Sequence, residues 1–139
     1  MRLPRPVDLA EAAEDTIREL GFSRQKAGAI KELAVNVAGG QVDLINLEEM
    51  TNEDVVEHLS QIRGIGRWSS ECVLLRGLGR LETFPADDVG AQNNLQRLFD
   101  LERRPGYDEI KALVAQWSPY QGLVYFHLLL EKLRLKGFV

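Results

Sequence analysis

The chain has 139 residues, which fits one compact domain, and 45% of them are hydrophobic, which is enough for a buried core and argues against disorder. Its net charge of −4 argues against a protein that coats DNA through bulk electrostatics. The single cysteine, Cys72, excludes an internal disulfide and a four-cysteine iron–sulfur site. No signal peptide or membrane-length apolar run is present, so the sequence predicts a cytoplasmic protein with no membrane partner.

The first part of the chain predicts three helices. Each begins at a residue that can cap a helix N-terminus, and apolar residues then recur at helical spacing. The predicted caps are Asp8, Ser23 and Thr51, and the helices end at Gly21, at Gly39-Gly40 and near Ile62.

The rest of the chain is also helical in pattern. A tight turn at Gly64-Ile65-Gly66 precedes a fourth helix, and either Asp87 or Asp88 caps a fifth. Pro105-Gly106 is a break, after which helices are predicted near 108–116 and 120–135. No segment alternates between apolar and polar residues, so the sequence predicts an all-α fold, a single helical domain over residues 1–139.

Basic residues concentrate in the middle of an acidic chain. Residues 1–58 carry twelve acids and six bases, whereas residues 59–80 carry four arginines and one acid, Glu71. On charge alone, an ordinary solvated face is the preferred interpretation. The arginines are Arg63, Arg67, Arg76 and Arg80.

Glycines within this basic segment indicate a function. The stretch Leu59–Leu75 predicts a helix–hairpin–helix, in which Gly64 and Gly66 let a phosphate approach the backbone and Ile65 anchors the turn. The following helix presents free N–H groups and its positive dipole end to that phosphate. Arg67 and Ser69 are candidates for additional contacts to the DNA backbone. The alternative is a tight turn between two helices with no ligand.

Two motifs together resemble a known family. Ile62–Ser70, IRGIGRWSS, followed by Phe84–Gly90, FPADDVG, resembles the core of the helix–hairpin–helix (HhH-GPD) base-excision DNA glycosylases. The DNA-3-methyladenine glycosylase II branch, which removes alkylated bases, is the most similar. Gly21–Ala27 and Trp117–Tyr120 also match, so the resemblance runs from about residue 5 to the C-terminus. It implies double-stranded DNA with a damaged base as the partner.

The resemblance makes Asp88 the catalytic residue. Breaking an N-glycosidic bond builds positive charge on the sugar, and a carboxylate beside the sugar stabilises that charge and orients water. The base is first flipped out of the stack. Asp87 is given a supporting or capping role. The alternative for Asp88 is a plain helix cap.

Trp68 occupies the position at which bifunctional members of the family carry a Schiff-base lysine. The resemblance therefore implies a monofunctional enzyme, with Trp68 lining the base pocket or, alternatively, packing in the core. The other aromatic residues of interest are expected to pack in the core, and both histidines are expected to be structural or at the surface. These residues are Trp117, Tyr120, Tyr125 and Phe126, and the histidines are His58 and His127.

The family implies one ion and one further segment. The ion is a sodium or potassium held by the backbone carbonyls of Ser60, Ile62 and Ile65, and no other cofactor is implied. The segment is a group of helices, one containing Gln-Gln, that nothing in residues 1–30 matches. The chain is therefore expected to be a C-terminal portion, completed by a missing N-terminal segment or a partner chain.

Two other functions remain open at this stage. A non-catalytic DNA-binding module would keep the hairpin and lack a complete base pocket. A helical domain without a nucleic-acid role would use neither the hairpin nor a base pocket. An enzyme acting on DNA is expected in the cytoplasm, associated with the nucleoid.

Overall fold

Eight α-helices make up most of the computed structural model, which describes residues 3–135 and 137, without the side chains of Lys132 and Leu135. No strand occurs within those residues, so the prediction of an all-α fold is confirmed. Within the same residues, no helix combines the length and apolar character needed to span a membrane. The helices are α1 (Pro6–Glu11), α2 (Glu14–Glu19), α3 (Arg24–Ala38), α4 (Asn52–Ser60), α5 (Arg67–Cys72), α6 (Val89–Leu98), α7 (Tyr107–Val114) and α8 (Gln121–Leu135).

The chain divides into two compact units, Met1–Gly66 and Arg67–Val139. The boundary falls between Gly66 and Arg67, inside the segment predicted to be a hairpin. The candidate catalytic residues and the glycine turn therefore belong to different units, and each unit has its own buried side chains.

In the first unit, α1 and α2 pack against α3. The Ser23 hydroxyl accepts a hydrogen bond from the backbone N–H of Lys26 at 3.3 Å, and the Thr51 hydroxyl accepts one from Asp54 N–H at 3.2 Å. Both predicted caps are therefore confirmed. The apolar side chains of this unit that are buried are Ile17, Ala27, Ala34, Leu47, Val55, Leu59 and Ile62.

The helix predicted from Asp8 to Gly21 is wrong, because the structure has two short helices there. Pro6 starts α1 earlier than predicted, and the Asp8 carboxylate reaches back to the backbone N–H of Arg5 at 2.8 Å. Ala12 and Ala13 are extended, with ψ of 143° at both residues. The carbonyl of Ala12 accepts a hydrogen bond from the Lys31 ammonium at 2.7 Å, which stabilises this break between α1 and α2.

In the second unit, α6, α7 and α8 surround one apolar cluster. Asn94 on α6 donates a side-chain hydrogen bond to the carbonyl of Leu128 on α8, at 2.9 Å. The rings of Phe84 and Tyr125 meet edge to face, with centroids 5.5 Å apart. The fully buried members of the cluster are Leu75, Phe84, Ala86, Ala91, Leu95, Ile110, Val114 and Tyr125.

The helix that follows the glycine turn changes its winding after one and a half turns. Beyond Cys72 the backbone continues as a π-helical segment, Val73–Gly77, closed by a bond from Leu78 N–H to the Val73 carbonyl at 3.0 Å. π-helical segments are rare in proteins, and those that occur are frequently located at functional sites. Leu74 and Leu75 point into the core from this segment.

Candidate active site

Asp88 lies at the N-terminus of α6, and three donors hold its half-buried carboxylate. Oδ1 accepts a hydrogen bond from the backbone N–H of Ala91 at 2.8 Å, so Asp88, and not Asp87, is the helix cap. Oδ2 accepts one from the indole Nε1 of Trp68 at 3.3 Å and one from the hydroxyl of Tyr125 at 3.1 Å. Capping uses only one oxygen, so it leaves the other oxygen of Asp88 available for a second role.

Trp68, the second residue of α5, is 45% exposed. The alternative that Trp68 packs in the core is therefore wrong. Its N–H group is directed at Asp88, and this contact fixes how the indole is oriented. The remainder of the indole offers an accessible aromatic surface close to the carboxylate.

Tyr125 is 1% exposed and belongs to the core, as predicted, but its hydroxyl also contacts Asp88. Sequence reasoning missed this contact. Burial, followed by the charge of Asp88, raises the pKa of Tyr125 to about 12. Tyr125 is therefore a hydrogen-bond donor over the whole physiological range of pH.

The prediction of core packing is wrong for Tyr120, which is 57% exposed.

Asp87 is paired with Arg67, at the start of α5. Nε and Nη2 of Arg67 donate to the two carboxylate oxygens of Asp87, at 2.7 and 3.1 Å. The same guanidinium lies over the ring of Tyr107, 3.6 Å from its centroid. The hydrogen bonds that Arg67 donates to the Asp87 carboxylate raise the pKa of Arg67. The predicted supporting role of Asp87 is consistent with this pair, which joins α5 to the loop that carries Asp88.

A buried acid lies one helical turn further along α5. Glu71 is 3% exposed, and its Oε1 accepts a hydrogen bond from the Tyr107 hydroxyl at 2.7 Å and lies 3.5 Å from Nζ of Lys111. Its Oε2 is buried and has no partner in the part of the chain that is described. Burial and this hydrogen bond raise the pKa of Tyr107. The sequence indicated Glu71 only as the single acid of the basic segment.

Arg76 places a second guanidinium near the aromatic side chains of α8. Its central carbon lies 6.0 Å from the ring centroid of Tyr125 and 5.8 Å from that of Phe126. The neighbouring Cys72 is half-buried, and burial raises the pKa of its thiol although the charge of Arg76 opposes the shift. The thiol is therefore neutral and weakly reactive near pH 7.

The glycine turn lies at the end of the first unit. The backbone N–H of Ile65 donates to the carbonyl of Ile62 at 3.0 Å, and Gly64 has a φ of +85°. A Cβ on Gly64 would lie 2.6 Å from the Cβ of Ala29, whereas a Cβ on Gly66 would meet nothing within 4 Å. Gly64 is therefore required by the fold, and Gly66 is not. Ile65 is half-buried, so it anchors the turn only in part.

Beside Gly64, the first unit has a cleft of about 560 Å³ that Arg24, Gln25 and Arg63 help to line. Arg63 also pairs with Glu32 at 3.3 Å, and both side chains are exposed. This face of the first unit thus combines the glycine turn with two guanidinium groups.

For a metal ion, the described ranges contain no cluster of three or more His, Cys, Asp or Glu side chains. Backbone carbonyl oxygens suit hard monovalent cations. The Ile62 carbonyl already accepts one hydrogen bond, from Ile65, and retains a second lone pair. The sodium or potassium ion expected at this turn stays a prediction.

Comparison with known proteins establishes the family. The model of the HhH-GPD superfamily of base excision DNA repair proteins matches residues 1–119, so the chain belongs to this superfamily. A putative DNA-3-methyladenine glycosylase of Bacillus subtilis is 37% identical over 125 residues, which cover 90% of this chain and 44% of that protein. The alkylbase DNA glycosidase-like protein mag2 of Schizosaccharomyces pombe is 32% identical over 136 residues, covering 96% and 64% respectively. The chain thus spans about half the length of these relatives.

Solved structures of 3-methyladenine DNA glycosylases are similar to this chain in fold. The 3-methyladenine DNA glycosylase of Schizosaccharomyces pombe, in complex with abasic DNA, superposes with a TM-score of 0.82 at 28% identity, over 91% of this chain and 62% of that one. The 3-methyladenine DNA glycosylase of Archaeoglobus fulgidus gives a TM-score of 0.79 at 29% identity, over 99% and 45%.

Proposed function

We propose that this chain is a monofunctional DNA glycosylase, which hydrolyses the N-glycosidic bond of alkylated purines such as 3-methyladenine in double-stranded DNA. The observation that supports this function most directly is the carboxylate of Asp88, which three donors hold in one orientation at the N-terminus of α6. The superfamily is one of base excision repair, and the two relatives described above are named for the removal of alkylated bases.

In the proposed reaction, Asp88 acts on the sugar. The bond between C1′ and the base nitrogen breaks, its electron pair leaves with the base, and positive charge develops on the sugar. The carboxylate stabilises that charge, and its oxygen accepts a proton from the water that attacks C1′. An alkylated purine that is already cationic leaves as a neutral base, so no strong acid is required.

Trp68 supplies the base-binding surface in this proposal. The exposed indole lies beside Asp88, and an electron-rich ring attracts a cationic base that has been flipped from the stack. Tryptophan has no amine to form a Schiff base, so the product is an intact strand with an abasic site.

The DNA backbone is assigned to the glycine turn and to the start of α5. Gly64, Ile65 and Gly66 supply a turn that a phosphate can approach, and Arg67 and Ser69 are the proposed side-chain contacts. The open space at Gly66 supports this assignment, because a Cβ there would meet no atom of the described residues within 4 Å. A sodium or potassium ion held by the carbonyls of Ser60, Ile62 and Ile65 would add positive charge beside that phosphate. The ion is testable by titrating DNA affinity with potassium at constant ionic strength.

The test is base release from methylated duplex DNA by the 139-residue chain. We expect 3-methyladenine in the supernatant, and the Asp88→Asn variant should release it at least about 100-fold more slowly while binding DNA with unchanged affinity. A wild-type chain that binds DNA and releases no base would instead identify a non-catalytic DNA-binding module. The substrate is chromosomal DNA, so we expect the protein in the cytoplasm, associated with the nucleoid.

A further inference from the structure

The hydroxyl of Tyr125 contacts the same carboxylate oxygen as Trp68, but from a different environment. Trp68 is 45% exposed and its donor lies 3.3 Å from Oδ2, whereas Tyr125 is 1% exposed and its donor lies 3.1 Å away. The Tyr125 ring is held edge to face against Phe84, which is fully buried. Tyr125 is therefore the donor that the core holds in place.

The two oxygens of Asp88 have separate anchors. Oδ1 is fixed by the backbone of α6, through Ala91, and Oδ2 is held from α8 by the buried Tyr125, in addition to the exposed Trp68. A carboxylate held at one oxygen alone can rotate about its terminal bond, because that torsion is broad. Two anchors on different helices remove this freedom before any substrate is present.

From this geometry we infer that Tyr125 is a positioning residue for Asp88, which fixes the orientation of Oδ2 toward the reacting sugar. The inference rests on the proposed function, since it assigns Tyr125 to the same reaction. Tyr125 need not touch the substrate, because it acts through the carboxylate. Burial and the charge of Asp88 raise the pKa of Tyr125 to about 12, so the hydroxyl remains a donor through the physiological range of pH.

The test removes only the hydroxyl. Tyr125→Phe retains the ring and its contact with Phe84, so the core is preserved. In single-turnover assays on methylated duplex DNA, we expect the rate of base release to fall about 10-fold, with the dissociation constant for DNA unchanged, because a misdirected catalytic group lowers the rate and not the binding. An unchanged rate would overturn the inference.

A matched comparison distinguishes positioning from general damage to the structure. In the Asp88→Asn background, Tyr125→Phe should cause no further loss, since the group that Tyr125 positions is no longer a carboxylate. Equal losses in both backgrounds would show a structural role and would overturn the inference. A wild-type chain without activity would overturn the proposed function itself, whereas an active wild-type chain that tolerates Tyr125→Phe would overturn only the role of Tyr125.

A second measurement leaves Tyr125 in place and needs no activity. The tyrosinate absorbance near 295 nm should rise at lower pH in Asp88→Asn than in the wild type, because the charge of Asp88 contributes to raising the pKa of Tyr125. Superimposable titrations would show that the two side chains do not interact in solution.

Discussion

Arg67 donates two parallel hydrogen bonds to the carboxylate of Asp87, at 2.7 and 3.1 Å, and its guanidinium lies over the ring of Tyr107. Bidentate pairs of this kind are more directional than single contacts. The pair links α5 to Asp87, the residue that precedes Asp88. It also means that the arginine proposed to contact the DNA backbone already has a carboxylate partner.

This pair allows the role of Arg67 to be measured. If Arg67 contacts a phosphate, Arg67→Gln should weaken binding to any DNA sequence and reduce the slope of log affinity against log salt by about one. Asp87→Asn removes a negative charge and releases the arginine, so it should leave DNA affinity equal or higher. Fluorescence anisotropy at several salt concentrations measures both variants. Weaker binding by Asp87→Asn would show that the intact pair, and not the free arginine, is needed.

The two glycines of the turn provide a matched pair of substitutions. Gly64→Ala should lower stability by about 1–3 kcal/mol, because it forces a side chain into positive φ and against Ala29. Gly66→Ala should cost little stability, since its Cβ would meet no atom within 4 Å. Gly66→Val should nevertheless weaken DNA binding, because it fills the space assigned to a phosphate. Chemical denaturation and anisotropy separate the two effects, and a Gly66→Val variant that binds normally would remove Gly66 from the interface.

Local chemistry accounts for what the sequence predicted correctly. Ser23, Thr51 and Asp88 cap helices because a short polar side chain just before a helix can accept a hydrogen bond from a free N–H group of its first turn. The all-α fold follows from the same periodicity. The turn at Gly64 was recognisable because positive φ favours glycine.

Long-range contacts account for what the sequence did not predict. The break at Ala12 is stabilised by Lys31, nineteen residues away, and nothing local marks it. Tyr125 meets Asp88 across thirty-seven residues, and Tyr107 meets Glu71 across thirty-six. A tyrosine on the apolar face of a helix has the same sequence signature whether or not its hydroxyl contacts a catalytic group.

The buried Glu71 makes the stability of the second unit sensitive to Tyr107. Tyr107→Phe removes the 2.7 Å donor and leaves Glu71 with only the 3.5 Å contact to Lys111, while Oε2 already has no partner among the described side chains. We expect a loss of about 2 kcal/mol, the usual cost of leaving a buried polar group short of a hydrogen bond. Tyr120→Phe is the control, since that tyrosine is 57% exposed and its substitution should cost less than about 0.5 kcal/mol. Equal stability of the two variants in urea would show that water reaches Glu71.

The raised pKa of Tyr125 predicts how stability changes in alkali. In the unfolded chain a tyrosine ionises near its model value of 10.0, whereas Tyr125 in the folded chain ionises at about 12. Between these values the unfolded state holds fewer protons than the folded state, so the free energy of unfolding falls as pH rises. The contribution of Tyr125 is fully present below pH 10 and is lost through pH 12, and a shift of this size corresponds to about 2–3 kcal/mol.

Urea denaturation at several pH values from 9 to 11.5 measures this loss, and Tyr125→Phe is the matched variant. Tyr107, whose pKa burial also raises, contributes in the same direction and remains in the variant. The pH dependence of Tyr125→Phe should therefore be shallower than that of the wild type but not flat. Parallel curves would mean that Tyr125 ionises as freely in the folded chain as in the unfolded one, and neither its burial nor its contact with Asp88 would then hold in solution.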